Sequence, residues 1–173
     1  MATINAEKFF ELVSWFNNFS EQINQLYNKM SGVFWKELKL KETTRYANFS
    51  PKKPYISDIL YMGFLSGEGH SIDVMFLLNK EGITNVNYEV IPSIIIAKIE
   101  GGTGYFDNNA YWKLFSDENS SIRRMEDGRI IGKIALKGKD CNFSAIQIDL
   151  EAFNNRNIDE ILGKEILPKV KEL

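Results

Sequence analysis

Residues 59–66 and 71–78 form two largely apolar runs, with apolar side chains at odd and even positions alike. Successive side chains of an extended chain point to opposite faces of a sheet. A strand that is apolar throughout therefore has to be buried on both faces. Gly67-Glu68-Gly69-His70 separates the runs, which predicts a hairpin of two central strands. Their sheet then needs cover on both sides, or cover on one side and a partner on the other.

One source of cover is at the start of the chain. Phe9, Leu12, Phe16, Phe19, Ile23, Leu26, Met30 and Val33 recur at alternating steps of three and four, with Val13, Tyr27 and Phe34 beside them. This spacing predicts an amphipathic helix over residues 6–34. Asn5 suits the N-cap, and Glu7 and Glu11 suit the positive end of the helix dipole. The width of the apolar stripe favours packing beneath a sheet, although the seam also has the heptad spacing of a helix that pairs with a second copy.

Further strands follow. Residues 86–91 alternate, Pro92 interrupts, and residues 94–99 are rich in isoleucine, so this region predicts two strands or one bent edge strand. Residues 129–137 place Ile130, Ile134 and Leu136 on one side and Arg129, Lys133 and Lys137 on the other. A turn at Gly138-Lys139-Asp140 returns the chain as residues 141–150, with Ile146, Ile148 and Leu150 on one face. Asn157 and Glu160 have capping-box spacing before a last helix striped by Ile158, Ile161, Leu162, Ile166, Val170 and Leu173. Pro168 is expected to kink or end that helix about a turn early.

The expected fold is therefore α+β: a mostly antiparallel sheet of about five to six strands, with the long N-terminal helix and the C-terminal helix packed on one face. No repeat or linker divides the 173 residues, which predicts a single domain. This layout is similar to that of profilin-like and sensor-like domains, a likeness that carries no chemistry.

Several function classes are disfavoured. The longest apolar runs fall well short of the ~20 residues of a membrane-spanning helix, and the N-terminal residues lack signal-peptide character. A cytoplasmic protein without membrane association is expected. Cys141, the single cysteine, rules out an intrachain disulfide and suits a packing role. The formal net charge of −2 announces no general affinity for nucleic acid. His70 is the sole histidine, so a catalytic triad or histidine-rich metal site must include it. No cofactor is expected.

Four local groupings remain as candidates. Glu68, His70 and Asp73 cluster at one turn and offer oxygen and nitrogen metal ligands. Asp73, followed by the strand at 94–99 with Lys98, resembles the hairpin of restriction-endonuclease-like nucleases. That resemblance implies divalent-metal chemistry, but Ile96 stands where the family carries its second acid. Tyr111 and Trp112, with Tyr105 and Phe106 after Gly101-Gly102-Thr103-Gly104, suit an apolar pocket or protein-binding surface. Arg123, Arg124, Arg129, Lys133 and Lys137 form the most concrete surface, a cationic stripe able to meet phosphates or an acidic protein.

With no catalytic motif in view, the residues favour a non-catalytic binding or regulatory module. It would act through protein–protein contact, with itself as a homodimer or with another protein. The second expectation is a nucleic-acid-directed protein, possessing a divergent or degenerate metal-dependent nuclease-like domain.

Overall fold

The computed structural model describes residues 6–46, 59–65, 70–77, 93–100, 121–136, 138–149 and 157–173. Helix α1 (Ala6–Leu38) leads into a seven-stranded antiparallel sheet of β1 (Lys41–Tyr46), β2 (Ile59–Leu65), β3 (Ser71–Leu77), β4 (Ser93–Ile99), β5 (Ile122–Arg124), β6 (Arg129–Leu136) and β7 (Lys139–Asp149). The spatial order is β1-β2-β3-β4-β7-β6-β5. The first four strands follow one another across the sheet. The chain then reaches the far edge and returns through β5, β6 and β7, which closes the sheet against β4.

The α+β class and the helix at each end agree with the sequence expectation, but the described residues form seven strands. The two strands not foreseen are the edges. β1, KETTRY, carries charges that resemble a solvated connection, and β5 has only three residues. Edge strands are short or charged because an open, apolar edge would pair with other chains. β1 also has a register shift between Glu42 and Thr44, where the Thr43 hydroxyl donates to the Gly63 carbonyl at 3.2 Å. The strand expected at 86–91 lies outside the described residues.

Both helices share one face of the sheet. Ile23, Leu26, Tyr27, Met30 and Phe34 of α1 pack with Phe64, Ile72, Val74, Phe76, Ile94, Ile96, Ile146 and Ile148 of the sheet. Ile161, Leu162, Ile166 and Val170 complete the same core. Tyr27 meets Phe76 edge-on with centroids 4.9 Å apart, and Phe34 meets Phe64 at 5.1 Å. α1 runs one turn further than the spacing predicted. It ends where Lys39, at φ 56°, takes the left-handed conformation usual for glycine after a helix, and the Leu40 amide donates back to the Phe34 carbonyl.

The C-terminal helix, α2, occupies residues 158–171. Asn157 caps it by accepting the Asp159 amide at 2.9 Å, and the Glu160 side chain accepts from Lys164 Nζ at 2.8 Å. Pro168 neither ends nor shortens the helix. A π-helical turn over Leu162–Ile166 precedes it, and regular helix resumes at Leu167–Lys171. A proline removes one intrahelical donor, and a local change of register absorbs that loss.

The opposite face is buried as well. Asp73, Met75, Ser93, Ile95, Ala97, Ile99, Ile130, Ile134, Phe143 and Ala145 are all inaccessible to solvent or nearly so. For the run at 71–78, the two-sided apolar character thus corresponds to burial on two sides. At the β5 edge the fit is set by Gly132, where a Cβ would lie 2.4 Å from the Ser121 carbonyl oxygen and 3.0 Å from Ile122 Cα. Both contacts are backbone, so relief requires β5 to move. Gly132→Ala should lower stability by about 1–3 kcal/mol in chemical denaturation. An unchanged midpoint would show that β5 is not held against β6 as described.

Candidate functional site

Strand register decides which cations belong together. Lys98 lies opposite Ser144, Ser144 opposite Ile131, and Ile131 opposite Arg123. Directly opposed residues share a face. Ile94 and Ile96, of the same parity as Lys98, lie in the core beneath the helices. The row Lys98, Ser144, Ile131, Arg123 therefore lies on the helix-bearing face. The Ser144 hydroxyl donates to the Leu173 carbonyl oxygen at 3.3 Å, so the end of α2 borders this row. Arg129 and Lys133 stand on either side of Ile131 along β6 and complete a cationic flank at the margin of the helix layer.

The four cations are not equivalent. Arg129 Nε pairs with the Asp127 carboxylate at 2.7 Å. The turn that makes this pair runs through Glu126-Asp127-Gly128, with the Gly128 amide donating to the Met125 carbonyl at 3.0 Å and Gly128 at φ 83°. Asp-Gly is a strong hairpin signal, and it marks a β5–β6 connection that hydrophobic alternation alone does not reveal. Among the described residues, Lys98, Arg123 and Lys133 have no ion pair. Lys98 is half-buried; Arg123 and Lys133 are exposed.

Arg124 parts from its neighbour. It lies opposite Ile130, on the face away from the helices, and donates to Gln147 Oε1 at 3.0 Å. Gln147 in turn donates to the buried Ser93 hydroxyl at 3.0 Å. Arg123 and Arg124, adjacent in sequence, thus serve opposite faces. Lys137, Tyr111, Trp112 and Glu68 lie outside the described residues. His70 is half-buried just before β3. Asp73, opposite Gly63 and Ala97, is 1% exposed on the far face.

Asp73 and Lys98 sit on neighbouring strands, but their side chains leave the sheet on opposite faces, which separates the pair that resembles a nuclease hairpin. Among the described residues no three His, Cys, Asp or Glu side chains converge as metal ligands. Cys141 is buried and its thiol points to the Lys139 carbonyl at 3.7 Å. No helix among the described residues is long and apolar enough to cross a membrane.

No protein-family model, curated protein or solved structure matches the chain.

Asp127 has the one resolved perturbation of acidity at this flank. The Arg129 amide, which donates to its carboxylate at 3.0 Å, holds the carboxyl below the ordinary aspartate value, and the Arg129 guanidinium adds to the effect. A lowered folded-state value means that the stabilisation is present above the ordinary aspartate range and is lost as pH falls through the lowered value. An NMR titration should place the Asp127 midpoint below that of an unstructured aspartate, and Arg129→Gln should move it part of the way back. A wild-type midpoint at or above the ordinary value would contradict this geometry.

Proposed function

We propose that this protein is a non-catalytic binding module that works through protein–protein contact and self-associates through its N-terminal helix. The observation that carries this reading is the exposure of large aromatic residues on the first half of α1, with Phe10 71% and Trp15 58% exposed. Aromatic side chains displayed on a surface are frequent anchors of protein interfaces.

Helix geometry supports the reading. α1 has 33 residues, and at 1.5 Å per residue it is about 50 Å long. Its described core contacts begin at Ile23, so residues 6–22 extend about 25 Å before the first of them. Every side chain described in that segment is exposed. The heptad-like spacing from Phe9 to Phe19 gives the same segment a seam suited to a second helix. The side chains of Phe9, Leu12, Phe16 and Phe19 are not among those described.

Native mass spectrometry and light scattering test the proposal. The wild type should be a dimer, and Phe10→Gln with Trp15→Gln should yield a monomer of unchanged circular dichroism. Glutamine keeps good helix propensity, so the substitution removes the anchors without breaking the helix. A wild type that remains monomeric at high concentration would contradict self-association.

A further inference from the structure

We infer that the cationic flank formed by Lys98, Arg123 and Lys133 is a docking surface for an extended acidic segment of another protein. The three residues come from β4, β5 and β6 and are assembled only by the sheet register. Lys98 and Arg123 are three strand spacings apart, about 14 Å, and Lys133 lies about 7 Å along β6 from Ile131, the neighbour of Arg123 in the row. None has an ion pair among the described residues. Ile131, half-buried, lies between Lys98 and Arg123 in the row and offers an apolar contact between the charges.

The acids nearby distinguish between anionic partners. Asp127 is held by Arg129. Glu100 accepts from Asn142 Nδ2 at 3.3 Å, and Asn142 lies opposite Lys133. Asp140, opposite Ala135, shares the same face at the β6–β7 turn. A nucleic-acid strand carries a charge at every residue and would set some of its phosphates against Glu100 and Asp140, where like charges repel. The formal net charge of −2 adds no attraction at long range. An extended peptide spaces same-face side chains about 7 Å apart. Carboxylates four residues apart then match the separation of Lys98 from Arg123, and a neutral or apolar residue between them meets Ile131. Charge complementarity at discrete points is what this flank offers, which favours an acidic peptide over a polyphosphate.

Fluorescence anisotropy tests this with a labelled peptide that has Glu at every fourth position and Ser elsewhere, a labelled peptide of the same design with Lys in place of Glu, and a labelled single-stranded oligonucleotide. The Glu peptide should bind more tightly than either other probe and weaken as salt is raised. Arg123→Glu with Lys133→Glu should weaken it by about tenfold or more. Lys98→Gln should weaken it less, because a charge is removed and not reversed. Thermal unfolding of each variant confirms that the fold persists, and subunit number should not change, which separates this surface from the helix proposed for self-association. Tighter binding of the oligonucleotide would overturn the assignment of partner. Equal binding of the two peptides, or an affinity unaffected by the substitutions, would overturn the site.

Discussion

Between β3 and β4 the pairs Val74 with Ile96 and Phe76 with Ile94 face the helices, while Asp73 with Ala97 and Met75 with Ile95 face away. All eight side chains are at most 1% exposed. Fully burying a large aliphatic or aromatic side chain contributes roughly 1.5–3 kcal/mol, so this strand pair concentrates the hydrophobic stabilisation of the molecule. The helices cannot leave one face without exposing the Tyr27–Phe76 contact, and β2 and β7 are held because they flank the pair. The constraint also keeps these eight side chains away from any ligand in solvent.

The chemistry left to the surface lies at the margins, and each margin has its own physical origin. β6 is where sheet burial becomes one-sided: Ile130 and Ile134 remain in contact with the interior, and Arg129 and Lys133 reach solvent where the helix layer ends. On the first half of α1, the aromatic side chains of Phe10 and Trp15 are exposed.

The elements legible in the sequence were those whose pattern is local. The helix seam, the two-sided strands 59–66 and 71–78, the alternation of β6 and the Asn157 cap are each contained within a few turns or one strand. What escaped depends on partners distant in sequence. β1 and β5 are edges whose composition satisfies solvent more than the core, and Pro168 was accommodated by a π turn that no local rule announces. The candidate surface was half legible. Alternation identifies Arg129 and Lys133 as outward, but only the register through Ser144 and Ile131 brings Lys98 to them, and only the same register sends Arg124 to the other face. Asp73 and Lys98, which sequence alone could pair, are separated for the same reason.

Amide hydrogen exchange under native conditions is the most direct test of the claim that the doubly buried strand pair holds the rest. Amides of β3 and β4 should exchange slowest, through global unfolding alone, while β1, β5 and residues 6–22 of α1 exchange sooner through local opening. Exchange in β3 and β4 as fast as in β5 would contradict the account, because the centre of the sheet would then be no more stable than its edge.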